Sequence, residues 1–390
     1  MELRMQTGAL TPAAISGKRN TTEKLSQTGQ PSLPPVPHTA PASVGNRGAT
    51  LPALDVALDR AAMTKFLRPQ LSAIVPPEQE ITVTQVELLD YKPGQRGLIR
   101  YELVTKAHAT HVIFGKLYAD ASQLNRVDQT LALLWNEVFG DDLHCSIPQP
   151  LGVISELGML VYVPAEGVFL DEVLTGERGT YAMELTGRWL AILHRQPLKL
   201  TKHFQLANEL ANLAIWAEIV GQSYPDLAPL ANHALAYLQQ QATDLPLVTQ
   251  TPIHKDFHYR HVLVERGVKV IDFDELRLGD PNFDLAHFCV NLHLLAYRQT
   301  GSPCALHNLE QRFLAAYARN TGWTLTDDQM ARFTYFSVYT CLKLARQLCL
   351  GFGPSPIPTG EERQRQVQLI LRQAATAIAT IANGRSTHRG

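Results

Sequence analysis

A chain of 390 residues, 45% apolar and 18% charged, has the make-up of a globular protein with room for one two-lobed enzyme. Its 35 basic and 36 acidic side chains nearly cancel, so neither nucleic acid nor an anionic membrane surface is expected as the main partner. No apolar run is long enough to span a bilayer, "MELRMQTGAL" is not expected to act as a signal peptide, and five scattered cysteines without a C-x-x-C read as reduced thiols of a cytoplasmic protein.

Residues 1–50, exemplified by "QTGQPSLPPVPHTAPASVGNRG", are rich in Pro, Ser, Thr, Gly, Gln and Asn and are expected to form a disordered tail. Order is expected from Leu51, where "ALDRAAMTKFLRPQL" carries helical spacing. The period then changes to two, and "ITVTQVELLDY" (81–91), "LIRYELVT" (98–105) and "HVIFGKLY" (111–118) predict an antiparallel meander joined by "KPGQRG" and a short polar turn. A helix over "DASQLNRVDQTLALLWNEVFG" should end at Gly140, a residue suited to a C-cap. A strand over "MLVYV" (159–163) follows. From Tyr181 onward apolar residues recur at i, i+3 and i+4, interrupted by two short strands, "HVLVE" (261–265) and "VKVIDF" (268–273). A late helix starts at "TDDQ", where Thr326 and Gln329 have capping-box spacing. The expected fold is α+β and two-lobed: a small antiparallel sheet lobe over 51–163 and a larger, mainly helical lobe over 164–390.

Three ionisable groups stand out on that map. Asp256 lies in a loop just before the second hairpin, Asp272 at that hairpin's end, and Lys116 on the third strand, sharing a face with Val112 and Phe114. A strand lysine, a loop aspartate and a later aspartate are the parts that phosphoryl transfer needs: a cation for the phosphates, a base for the acceptor hydroxyl and a carboxylate for Mg²⁺. The template H-R-D-x-x-x-x-N…D-F-G reads here as His254-Lys255-Asp256, then His261, then Asp272-Phe273-Asp274.

The stretch "HKDFHYRHVLVERGVKVIDFDELRLGDPNFDLAHF" resembles the catalytic core of the aminoglycoside phosphotransferase and choline kinase-like family, which has a protein-kinase-like fold. "YKPGQRGLIRYEL", "FGKLY" and "LAILH" extend the likeness, which runs from about residue 80 onward. The resemblance implies Asp256 as catalytic base, Asp272 as metal ligand and Lys116 as the lysine on the nucleotide phosphates. It implies that Asp284 braces the catalytic loop and that Tyr162 and Val163 approach the adenine hinge. ATP with Mg²⁺ (or Mn²⁺) and a small polar hydroxylated acceptor are the implied ligands.

Three departures from the family pattern set further expectations. His261 stands where the loop has a metal-binding Asn. "KPGQRG" replaces G-x-G-x-x-G and offers Gly94 and Gly97 for backbone approach to phosphates. The helix after Lys116 has no early Glu, so Glu137, ahead of Asp128, is expected to pair with the lysine. His258, Asp274 and Glu275 are expected to face the acceptor. Acidic residues clustered between 256 and 284 would favour a cationic or polyhydroxylated acceptor. Three other readings compete. One takes His254, Asp256, His258 and His261 as zinc or iron ligands of a hydrolase. Another is a nucleotide-binding pseudokinase. The third, a protein kinase, is disfavoured by the short "DFDELRLGDP", which leaves no long activation segment.

Overall fold

The computed structural model describes residues 51–140, 142–245, 248–353 and 357–387. The tail expected over 1–50 lies outside the described residues, which all fall in the unit Pro35–Gly390. The chain enters through two short helices, α1 (Leu54–Leu58) and α2 (Arg60–Leu67). Asp59 caps α2, its carboxylate accepting from Ala62 N at 2.7 Å. The apolar positions Ala57, Met63 and Leu67 face a sheet made of β1 (Ile81–Lys92), β2 (Arg96–Thr105) and β3 (Thr110–Tyr118), the meander the alternation predicts. Tyr101 secures this packing by donating to the Ala57 carbonyl at 2.8 Å.

β3 runs into α3 (Ala121–Leu134), which gives way to a π-turn over Trp135–Phe139. Gly140 ends it, but for a different reason than the one expected. Its φ is −62°, inside the right-handed region, so no left-handed cap forms. A Cβ there would lie 2.4 Å from the Trp135 carbonyl oxygen, and close approach is what requires glycine.

Next come β4 (Cys145–Ser146), β5 (Pro150–Ile154) and β6 (Met159–Tyr162). β6 pairs antiparallel with β3, and β5 with β6, giving the order β1-β2-β3-β6-β5. β5 has no counterpart among the strands expected from the sequence, and its place at the sheet edge tolerates Pro150.

The helical lobe carries β7 (Val168–Phe169), α4 (Gly176–His194), α5 (Leu206–Ser223) and α6 (Ala228–Gln241), then β8 (Thr251–Ile253), β9 (Val262–Val264), β10 (Val268–Val270) and β11 (Arg277–Gly279). It closes with α7 (Asn282–Thr300), α8 (His307–Thr321), α9 (Asp327–Cys349) and α10 (Gly360–Thr387). At the start of α9, Thr326 accepts from Gln329 N, but the Gln329 side chain turns to Asn282 and Trp323, so only half of the capping box forms. No helix among the described residues is long and apolar enough to cross a membrane.

Two pairings position the chemistry. β9 and β10 form the expected hairpin, and β11 returns to pair with β8. The segment after Asp272 is thereby stitched to the strand before Asp256. Beneath them Trp189 of α4 stacks between Phe139 and Phe257, with ring centroids 4.8 and 5.7 Å away. Stacks of this kind add roughly 0.5–1.5 kcal/mol each beyond area burial. They fasten the loop that carries Asp256 to the π-turn behind α3.

Candidate functional site

The loop after β8 is shaped by one buried carboxylate. Asp284, in the first turn of α7, accepts from His254 N at 2.6 Å and Lys255 N at 2.8 Å. His194 supports it at 3.2 Å and is itself held by Tyr317 at 2.9 Å. Lys255 adopts a φ of 68°, a left-handed conformation a non-glycine residue keeps only when its surroundings impose it. The bracing expected of Asp284 is therefore the geometry observed. His254 donates from Nε2 to the Ile271 carbonyl at 3.0 Å, linking this loop to the one that carries Asp272. Burial keeps His254 neutral by pushing its pKa down.

Asp256 stands at the centre. Its Oδ1 accepts from Lys343 Nζ at 2.9 Å and lies 3.3 Å from His287 Nε2. Its Oδ2 has only long contacts, 3.9 Å to His258 Nε2 and 3.9 Å to His261 Nδ1. Burial opposes the charge, yet the Lys343 ammonium and the surrounding histidines hold this carboxyl well below the usual range. One oxygen is thus fixed and the other is free to meet a hydroxyl. Neither Lys343 nor His287 is anticipated by the sequence reading.

Asp272 lies across from it, with a left-handed φ of 67°. Its Oδ1 accepts from Lys116 Nζ at 3.1 Å, and its Oδ2 is 3.8 Å from His261 Nε2. Burial acts against its ionisation, but Lys116, His261 and Arg96 lower its pKa strongly. His261 donates from Nδ1 to the Asp256 carbonyl at 2.7 Å, so in its neutral form Nε2, turned toward Asp272, is the nitrogen that carries the lone pair. A lone pair and a carboxylate oxygen facing each other at that spacing suit a shared divalent cation, with the carboxylate the better match to Mg²⁺.

The hydrolase reading needs four ligands, and the structure brings together three: Asp256, His258 and His261. His258 accepts from Arg260 N at Nδ1, 3.1 Å, which puts its proton on Nε2. Burial and His261 push its pKa well below the ordinary value, so it stays a neutral donor without a free lone pair. A zinc or iron trio does not fit.

Lys116 does not pair with Glu137, which is exposed on the π-turn; its partners are Asp272 and, at 2.8 Å, Asp274. The acids come from across the cleft, not from the helix after β3. No ion pair to Asp128 occurs among the described residues. Asp274 also accepts from Arg96 at 2.9 Å and Tyr118 at 2.8 Å. Expected to face the acceptor, it is instead a buried junction between lobes. Glu275 pairs with Arg277. Gly94, with φ 66°, follows Pro93 in a tight turn closed by Gln95 N to Lys92 O at 3.0 Å. Gly97 lies within β2, paired with Leu117. Tyr162 packs edge-on against Phe114, centroids 5.9 Å apart, and Val163 N donates to the Gln149 carbonyl at 2.9 Å. The Val163 amide is therefore already engaged.

Most of the acidic charge clustered in the sequence is answered within the protein. Asp272 and Asp274 answer to Lys116 and Arg96, Asp280 to Arg332 and Asn282, and Asp284 to two amides.

The buried histidines make stability depend on pH. Burial, then Lys343, lower the His287 pKa to about 4 from 6.5. The unfolded chain binds this proton first, so stability is full above 6.5 and falls as pH drops toward 4. The expected loss is on the order of 3 kcal/mol. Melting temperatures of wild type and His287→Gln over that range check it: equal slopes would remove His287 from the account.

Residues 120–325, 206 of the chain's 390, match the model of the phosphotransferase enzyme family, APH. No curated protein matches the sequence. Among solved structures the chain is similar to a spectinomycin phosphotransferase in complex with ADP and spectinomycin, at 12% identity and a TM-score of 0.52, covering 80% of this chain and 98% of that one. It is similar to an ethanolamine kinase of Plasmodium vivax, at 11% identity and a TM-score of 0.52, over 80% of this chain and 88% of the other. It is also similar to a choline kinase of Cryptosporidium parvum, at 11% identity and a TM-score of 0.54, over 84% and 97%. At such identities the likeness is one of fold, here the protein-kinase-like one. The matched segment contains the braced loop, Asp256, Asp272 and Asp284, and the chain belongs to the phosphotransferase enzyme family.

Proposed function

We propose that this small-molecule phosphotransferase uses ATP with Mg²⁺ and transfers the γ-phosphoryl group to a hydroxyl of a small polar acceptor. The observation that carries the reading is the placing of Asp256 and Asp272 on either side of His261, with Lys116 on Asp272. Spectinomycin phosphotransferase holds ADP in its complex, which supports a nucleotide as donor. Asp256 Oδ2 accepts the hydroxyl proton while the acceptor oxygen bonds to the γ-phosphorus and the bond to the bridging oxygen breaks, leaving ADP. Lys343 and His287 hold Asp256 Oδ1, so the base approaches in one orientation. Lys116 supplies a cation for the phosphates, and its release from Asp272 frees that carboxylate for the metal. Asp272, with His261 beside it, would hold Mg²⁺, whose charge offsets that of the phosphate oxygens. Five free cysteines support a reducing, cytoplasmic setting.

The test incubates the full chain with MgATP and a set of hydroxylated metabolites and aminoglycosides, and looks by mass spectrometry for one added phosphate. Asp272→Ala is expected to abolish nearly all transfer, whereas His261→Asn, which restores an oxygen ligand, keeps most of it with Mg²⁺. A His261→Asn enzyme that gains Mg²⁺ activity from a wild type working only with Mn²⁺ would make His261 the main ligand instead.

A further inference from the structure

One wall of the cleft is α9, which meets Asp256 through Lys343. Lys343 donates to Asp256 and has no other ion-pair partner among the described residues. Arg346 follows three positions on, about 4.5 Å along the helix and on the neighbouring face. Its guanidinium lies 5.0 Å from the Phe352 ring centroid and 6.0 Å from that of Trp216, with no carboxylate partner among the described residues. Arg346 Nε is buried and lacks a hydrogen-bond acceptor. Burying such a donor unpaired is costly. Below Lys343, Tyr339 packs edge-on to Trp216, 5.5 Å away, and bonds Glu209, whose other oxygen takes Lys255 at 3.1 Å. Both oxygens of Glu209 are thus engaged.

A polycationic acceptor would meet Lys343 and Arg346 with only Asp256 Oδ2, the oxygen reserved for the hydroxyl, to oppose them. An anion would find a flexible ammonium and, beside it, a planar fork shaped for two oxygens. We infer that the acceptor is a hydroxylated small molecule bearing a carboxylate or phosphate, its anionic group held by Lys343 and Arg346 while its hydroxyl meets Asp256 Oδ2. This rests on the phosphotransferase reading above and replaces the cationic acceptor that the acidic sequence cluster favours.

Calorimetry on the full chain with MgADP present tests it, using gluconate and glucose 6-phosphate as anionic probes, glucose as neutral and glucosamine as cationic. At least one anionic probe should bind about tenfold or more tightly than glucose and glucosamine, and weaken with salt. Lys343→Gln and Arg346→Gln should each cost about tenfold or more, the range of a charge-assisted bond, and Arg346→Lys should restore part of it. Comparing the two anionic probes assigns carboxylate or phosphate. Failure of both to bind, equal binding of glucosamine, or unaltered affinity in both Gln variants overturns the inference. If MgADP itself does not bind, the phosphotransferase reading fails instead.

Discussion

Asp256→Asn is expected to lower turnover by about 10²–10⁴, the usual worth of a general base, while ATP affinity stays nearly unchanged. The asparagine keeps the shape and still accepts from Lys343 and His287 through its amide oxygen, so the loop should hold its place. It cannot take a proton. The effect belongs to the chemical step because Asp256 Oδ1 is occupied by protein donors and only Oδ2 is open to substrate. Single-turnover kinetics beside nucleotide calorimetry separate the two quantities. Turnover near wild type would remove Asp256 from the role, and a parallel collapse of ATP binding would mean that the loop had moved.

The second large effect is on stability. Asp284→Ala strips the acceptor from His254 N, Lys255 N and His194 Nε2 at once, in a site where the carboxylate is fully buried. Each buried donor left unpaired costs about 1–3 kcal/mol, so the three together are expected to cost roughly 3–9 kcal/mol. Lys255 also loses the restraint that keeps its left-handed backbone, and the base beside it drifts; displacement by about 1 Å is enough to cost about 100-fold in rate. Asp284→Asn, which retains an acceptor, should lose less on both counts. Denaturant unfolding measures the first effect and kinetics the second. A destabilisation below about 1 kcal/mol would show that the loop is held by other means.

The parts of the site legible in the sequence are those that sit within one stretch. Asp256, Asp272 and Asp284 lie 28 positions apart end to end, each at the edge of a recognisable strand or helix. The meander was legible because one face is buried and alternation survives. What escaped is long-range. Lys343 and His287 occupy helices whose periodicity speaks only of packing, and nothing local tells a cleft-facing lysine from a solvated one. The helix after β3 offers Glu137 as the local partner of Lys116; the actual partners, Asp272 and Asp274, lie more than 150 positions downstream. The acidic cluster misled for the same reason, since its counter-ions Arg96, Lys116, Arg332 and Lys343 are remote in sequence.

Arg96 and Lys116 from the sheet lobe share the single carboxylate of Asp274 on the helical side, and Tyr118 adds a third bond. Mechanically this is a clasp. Parting the lobes along this edge requires both cations to let go together, because a residual bond to either keeps the edges in register. The cleft should therefore behave as a latch with two discrete settings instead of a smoothly yielding jaw. Arg96 opens the strand just after the turn at Gly94 and Lys116 lies opposite Leu98 on the next strand, so a ligand that competes for these cations has two fastenings to exchange, not one.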